Sequence, residues 1–534
     1  MSFFRRRLEE LVSSDPPRRW LFVPYDQLSD RMGPLSREDP SGLGIVLVEN
    51  AAKGDRRPYH RQKLALVLSN LRHFALEQAA RGVAVRHVAV DEGSYAAALR
   101  PVISELGPLE MMEAAERELR VDLQPLVDEG GLEVLPHEGW LTTTEDFQAA
   151  CGEPPWRMDA FYRRVRRRTG LLMEQGGPEG GRFSFDKENR EAWKGDPPAP
   201  RPPTFPVDEV DEEVAALIQA RFGDHPGRLD LSALPTTAAD AEVLWRWALH
   251  EALPHFGPYE DAMSTASRRL FHTGVSPLLN LHRLLPARVV AEAVESPVEL
   301  RSREGFLRQV LGWREFMAHV HRATDGFRRV PGLDPTPDAD PDFLGARNPL
   351  PAVFWGSSES GWKCLDTVVA SVWEEGYSHH ITRLMVLCNL ALLLDVDPRQ
   401  LTDWFWVAYI DAYDWVVEPN VLGMGAFAAG DLLTTKPYVS GAAYIHRKSD
   451  YCAGCRFDPR RDCPLTSLYW AFLERHREVL QGNPRLALPY RNLDRRHSAR
   501  RAHDREVFLR ESRRLCHGSG SGMPGPAGGA SVQE

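Results

Sequence analysis

Gly44-Ile45-Val46-Leu47-Val48 is an uninterrupted apolar run; Leu64, Val67, Leu68, Leu71, Phe74 and Ala75 then recur at helical spacing up to Gly82, and Val83-Ala84-Val85-Arg86-His87-Val88-Ala89-Val90 returns to a β-compatible run. A short apolar run reads as a buried strand, and recurrence every three to four residues reads as a helix with one apolar face. Outward from this unit, Trp20-Leu21-Phe22-Val23 precedes it, while Leu109-Glu110-Met111-Met112 and Leu132-Glu133-Val134-Leu135 follow, with helical segments between most of the runs. The alternation predicts an α/β domain over residues 1–140 built on a doubly wound parallel sheet. Ligands of such sheets sit beyond the carboxyl ends of the strands.

From 141 to 240 the pattern dissolves into a stretch rich in Gly, Pro and charge, including Asp196-Pro197-Pro198-Ala199-Pro200-Arg201-Pro202-Pro203, which reads as an interdomain connector. From 241 to 516 helical periodicity predicts an all-α second domain, and the Gly/Ser/Pro-rich tail 517–534 is expected to be disordered. At 534 residues two domains are the natural expectation. Seven scattered cysteines and no apolar leader after the basic start point to reduced thiols in a cytoplasm. The most apolar segment, Leu384 to Leu394, covers 11 residues and contains Asn389, short of the ~20 a bilayer requires, so no membrane partner is expected.

The formal net charge of −10 does not announce a nucleic-acid binder. Local charge differs: residues 157–168 hold six arginines and 491–514 hold nine, the latter diluted by Asp494, Asp504, Glu506 and Glu511.

Cys452-Ala453-Gly454-Cys455 followed by Cys463 places three thiols close enough to share a metal centre, with Gly454 supplying the backbone freedom of a tight turn. Zinc and iron–sulfur are both open on residue types alone, and a fourth ligand could come from Cys151, Cys364, Cys388 or Cys516. In His272-Thr273-Gly274-Val275-Ser276-Pro277, Ser276 is placed to cap a helix whose first turn holds Pro277, leaving free amides suited to a diphosphate. His379 and His380 point about 100° apart on a helix, so only one should face a given pocket.

The segments flanking these residues resemble the iron–sulfur bacterial cryptochromes and photolyases. The resemblance is carried by His60-Arg61-Gln62-Lys63-Leu64, Phe161-Tyr162-Arg163-Arg164, Gly180-Gly181-Arg182-Phe183, Gly312-Trp313-Arg314-Glu315-Phe316, Tyr377-Ser378-His379-His380-Ile381-Thr382-Arg383 and Ala443-Tyr444-Ile445-His446-Arg447-Lys448 leading into the cysteines. It implies the cryptochrome/photolyase fold, an FAD in the helical domain, and a blue-light lyase that reverses pyrimidine–pyrimidone (6-4) photoproducts in UV-damaged DNA as a monomer. By family position Tyr259, Thr273, Gly274, Val275, Ser276, Gln309, Arg314, Asp411, Asp414 and Asn420 would hold the flavin. His380, with His379 and Arg383, would carry the proton chemistry, a histidine near neutral pKa being suited to that shuttle.

Trp355 and Trp404 match the electron-transfer positions, whereas Phe405 stands where relatives commonly place a tyrosine. Cys364 matches the remote ligand of a 4Fe-4S cluster completed by Cys452, Cys455 and Cys463, and Arg163, Arg164 and Arg182 are implied DNA contacts. The resemblance also implies an antenna, 6,7-dimethyl-8-ribityllumazine, although Pro24 and Tyr25 depart from the Leu-Gly that usually precedes Asp26-Gln27. The competing readings are a cryptochrome photoreceptor without repair and a non-photochemical iron–sulfur nucleic-acid-binding module.

Overall fold

The computed structural model describes residues 2–11, 17–336 and 339–518, so the tail from 519 onward lies outside the described residues. Strands β1 (Arg19–Phe22), β2 (Leu43–Asn50), β3 (Ala84–Val90), β4 (Leu109–Met112) and β5 (Leu132–Leu135) form one wholly parallel sheet in the order β3-β2-β1-β4-β5. The order reverses about β1, whose carboxyl end is therefore the switch point of the sheet. All of β2 is buried, as an apolar run covered on both faces should be. Gly44 is required there, because a Cβ would lie 2.5 Å from the Trp20 ring on β1.

Helix Arg61–Ala80 follows β2 and buries Leu66, Leu71, Phe74 and Ala75, and the His60 ring caps it by accepting from the Gln62 amide at 3.0 Å. Helix Phe3–Leu11, not anticipated from the basic N-terminus, buries Phe4 and Leu8, with Phe4 edge-on to His87 at 4.9 Å.

The segment read as a connector is more ordered than its composition suggests. Helices Thr144–Cys151 and Met158–Thr169 bury Phe147, Phe161, Tyr162 and Val165 in the core of the helical half, whereas helix Glu209–Arg221 returns Val210, Val214 and Ile218 to the α/β core. Their apolar positions are spaced for helices but hidden among arginines and carboxylates. The run Asp196–Pro203 is irregular, as expected of its prolines.

Beyond residue 241 the described chain is helical, and no helix among the described residues is long and apolar enough to cross a membrane. The apolar Leu384–Leu394 stretch is buried, and its single polar residue, Asn389, exchanges hydrogen bonds with the Ser440 backbone at 2.8 and 3.1 Å. Four π-helical turns, Ala248–Ala252, Arg308–Arg314, Arg383–Cys388 and Glu418–Gly425, interrupt the helices among the described residues. Such turns recur at functional sites because they re-aim side chains out of the α register.

Candidate flavin cavity and cysteine cluster

The last three of these π turns face one cavity of about 290 Å³. Gln309, Trp313 and Arg314 come from the first turn, Arg383, Leu384 and Cys388 from the second, and Asn420, Val421 and Met424 from the third. The opposite wall is the segment His272 to Ser276, with Asn280. Gly274 has φ +66°, and a Cβ there would press on the Arg269 guanidinium at 2.9 Å, so the turn requires glycine.

Arg383 anchors the cavity. Its guanidinium forks onto Asp411, both bonds at 3.0 Å, donates to the Ser378 carbonyl at 2.7 Å and lies 4.1 Å over the Tyr409 ring. Asp411 also accepts from the Ser276 hydroxyl at 2.7 Å. Ser276 is thus the first residue of helix Ser276–Asn280 rather than its cap: the cap position is Val275, and the hydroxyl is engaged across the cavity. Arg314 donates to Glu315 at 3.0 Å and to the Leu279 carbonyl at 3.2 Å, and stacks over Trp140 and Trp415. The Gln309 amide nitrogen donates to Glu260 at 2.6 Å, and burial raises the Glu260 carboxyl to about 7.

The two histidines part, though not by helical spacing: His379 is the extended residue (φ −75°, ψ 164°) that precedes helix His380–Thr382. His380 lines the cavity; His379 turns behind it, stacked face to face on His272 at 4.3 Å, with its Nδ1 buried and unpartnered. Burial, then the Arg308 and Arg383 charges, lower His380 to about 4. That corrects the expectation of a histidine near neutrality: the unliganded ring is uncharged at pH 7, because two guanidiniums and a dry wall disfavour a third cation.

The sequence-distant thiols also converge. Burial raises the Cys364 thiol, followed by repulsion from Cys463, Cys452 and Cys455, which places all four in one electrostatic neighbourhood. Burial likewise raises Cys463 to about 11. Gly454 has φ +73° in the turn between Cys452 and Cys455, as its position predicts, and Lys363 ties that turn to the Cys364 helix through the Ala453 carbonyl at 2.7 Å. Cys388 lies elsewhere, in the flavin-cavity wall.

Comparison with known proteins decides the family. Residues 21–233 match the deoxyribodipyrimidine photo-lyase-related protein model, and residues 306–450 match the FAD-binding domain of DNA photolyase. The chain is 35% identical over 485 residues to a (6-4) photolyase of Agrobacterium fabrum, covering 87% of this chain and 93% of that one. The chain belongs to the photolyase family. Its fold is shared with a bacterial class III photolyase from Agrobacterium tumefaciens (TM-score 0.53, 16% identity, 94% of this chain and 99% of that one) and with the Synechocystis sp. PCC6803 cryptochrome (TM-score 0.54, 14% identity, 94% and 100%).

Of the residues expected around the flavin of this photolyase-family chain, Thr273, Gly274, Val275, Ser276, Gln309, Arg314, Asp411 and Asn420 line the cavity, as do His380 and Arg383. Two do not. Asp414 is turned toward the α/β half, where it accepts from the Glu118 amide at 3.1 Å. Tyr259 stacks on Phe271 and donates to the Asp196 carbonyl at 3.1 Å. In both cases family position carried the expectation, while the local turn decided the direction. His272, Asn280, Trp313 and Tyr377 line the cavity without having been singled out, although His272 opens the segment that was.

Arg163, Arg164 and Arg182 are exposed; Arg163 pairs with Asp159 at 3.0 Å and Arg182 with Glu188 at 2.5 Å. Arg166 from the same run is buried, donating to the Leu171, Phe183 and Leu172 carbonyls, so it staples the fold rather than joining the exposed patch.

At the carboxyl ends of β1 and β2 a second cavity measures about 80 Å³, lined by Tyr25, Asn50, Lys53, Lys63, Tyr95 and Glu116 among others. Lys53 bridges Tyr25 and Glu116, both at 2.6 Å, across it. Neither carboxylate oxygen of the adjacent buried Asp26 has a hydrogen-bond partner, and burial raises that group to about 7. The polar groups lining this space would suit a heterocycle.

Proposed function

We propose that this chain reverses (6-4) photoproducts in DNA under blue light, using FAD held in the cavity between the π turns. The observation that carries this reading is the convergence of the Arg383–Asp411 fork, Gln309, Arg314 and His380 on that one cavity. When bound, FAD supplies the light-driven electron. The protein's own residues do the rest. The Arg383–Asp411–Ser276 chain fixes one side of the cavity, and Arg314 with Asn280 presents donors on another. Phe256, Phe306, Val310 and Met317 keep the wall dry, which strengthens every polar contact inside it. A lesion flipped from the duplex gives the damaged bases access to this wall. His380 is neutral in the unliganded site, so it serves as an acid once the phosphate of bound DNA offsets the field of Arg308 and Arg383. Exposed Arg164, and Arg163 and Arg182 once exchanged from their carboxylates, meet the DNA backbone.

Cys364, Cys452, Cys455 and Cys463 would hold a 4Fe-4S cluster in this reading. Four thiolates are the donor set of such a cluster, and the mutual repulsion of Cys364 with Cys452, Cys455 and Cys463 puts them in one neighbourhood. The pure protein should show flavin bands with a broad brown shoulder, and Cys364→Ser should lose iron. The test of the whole reading is illumination of reduced protein with an oligonucleotide carrying one (6-4) lesion: restored bases support it, and an untouched lesion beside normal flavin bands rejects repair in favour of a photoreceptor.

A further inference from the structure

Away from the flavin cavity and the thiols, the α/β half brings together three side chains of the kind that ligate metals. His73 sits on helix Arg61–Ala80, Asp208 caps helix Glu209–Arg221, and Asp211 is the third residue of that second helix. One ligand atom from each, an imidazole nitrogen and two carboxylate oxygens, lies within 4.8 Å of the other two. His73 Nε2 is 3.3 Å from Asp211 Oδ1 and 3.6 Å from Asp208 Oδ1.

Two ordinary devices explain part of the group. Asp208 and Asp211 form a capping box: Asp208 Oδ1 accepts from the Val210 and Asp211 amides at 2.9 and 3.1 Å, and Asp211 Oδ2 accepts from the Asp208 amide at 3.4 Å. A hydrogen bond from His73 to Asp211 is the other. At 3.3 Å it is long for a charge-assisted bond, which runs about 2.7–2.9 Å, and one Nε2 hydrogen does not serve two carboxylates. Metal–nitrogen and metal–oxygen bonds of about 2.0–2.2 Å at tetrahedral angles set neighbouring donors roughly 3.3–3.6 Å apart. The distances from the imidazole match that spacing.

A second observation points the same way. Ser69 lies one turn before His73 on the same helix face, is wholly buried, and its hydroxyl has no hydrogen-bond partner. It is aimed at Asp211: burial opposes ionisation of that carboxyl, yet His73 and then Ser69 hold it below the usual range. The Thr236 hydroxyl steadies the far oxygen of Asp211 at 3.3 Å, which leaves Oδ1 turned to the centre of the group. Among the described residues the ion pairs of both carboxylates run to His73 alone. His73 and Asp211 are buried, whereas the Asp208 side chain is 47% exposed, giving an ion a way in.

We infer that His73, Asp208 and Asp211 bind one divalent transition cation such as zinc, with a water next to Ser69 as the fourth ligand. Imidazole with carboxylates is a donor set that zinc accepts. The bound ion clamps the helix returning from the connector onto the helix that follows β2. No residue of the flavin cavity or the thiol cluster takes part, so the site stands apart from the functional reading above.

The test is zinc binding by the whole chain as purified, cleared of loose metal with EDTA and titrated with ZnCl2 in a calorimeter. Wild type should bind one ion whose affinity falls at least about ten-fold in Asp208→Asn and in His73→Gln. Zinc taken by thiols is the same in all three proteins and drops out of the difference. Asparagine caps a helix as well as aspartate does, and glutamine keeps a donor for Asp211, so both ordinary devices survive the substitutions. In EDTA, Asp208→Asn should therefore unfold at the wild-type midpoint, and added ZnCl2 should raise the midpoint of wild type alone. Equal zinc affinity in wild type and variants, or a midpoint that zinc raises equally in all three, overturns the site. Should His73→Gln not fold, Asp208→Asn decides by the same two readings.

Discussion

The cavity beneath His380 and the smaller one at the strand ends are both walled by buried charge, yet they are built on opposite plans. In the first, Asp411 receives three bonds, two from Arg383 and one from Ser276, and about 290 Å³ stays open beside the pair. Next to the second, Asp26, one residue from the lining Tyr25, receives none, Lys53 is spent on Tyr25 and Glu116, and about 80 Å³ remains. Pairing holds a buried carboxylate in place and makes it part of a binding wall. An unpaired one rises toward neutrality and becomes a pH-dependent cost to the fold.

The largest effect expected from this contrast is on repair. Replacing His380 by Asn should lower the repair rate about 10²–10⁴-fold while flavin absorbance stays intact. Single-turnover repair measures it, and a near-normal rate would take His380 out of the chemistry. Next, Asp411→Asn strands the Arg383 guanidinium in a mostly buried wall and should cost about 3 kcal/mol or more, read as a lower denaturation midpoint with loss of flavin. Stability equal to wild type would mean that the fork does not hold the wall.

Asp26 should behave in the opposite sense. Its folded-state value, about 7, lies above the ordinary carboxyl value of 3.8, so the folded chain holds this proton more tightly than the unfolded one. Its contribution is therefore complete at low pH and is lost as pH rises toward and through about 7. Asp26→Asn should match wild type near pH 4 and exceed it near pH 8 by at most about 4 kcal/mol, checked by urea unfolding at both values. A destabilised Asn variant at pH 8 would show that the charged form has a partner. The smallest effect belongs to Tyr25→Phe, which removes one hydrogen bond from Lys53 but leaves Glu116 in place, for about 1 kcal/mol. A much larger loss would make Tyr25, not Glu116, the group that keeps Lys53 folded inward.

Legibility followed the range of the interaction. The five strands and helix Arg61–Ala80 could be read from apolar spacing, because burial on a sheet acts through periods of two and of three to four residues. Helix Met158–Thr169 was hidden by its arginines, although Phe161, Tyr162 and Val165 keep helical spacing. In the site, Gln309, Arg314, Asp411 and Asn420, named by resemblance, line the cavity, while Asp414 and Tyr259 face other walls, because side-chain direction follows the local turn.

By itself the chain's order of apolar, glycine and cysteine residues determined the α/β-then-helical architecture and the turn at Gly454. Those features depend on backbone geometry within a few residues of each position. Only the tertiary structure decided that three π turns would share one cavity, that Arg308 and Arg383 would hold His380 neutral, that His379 would stack on His272, and that Cys364 would join thiols nearly ninety residues away. Electric fields, thiol convergence and ring stacking depend on distance through space, which the linear chain does not record.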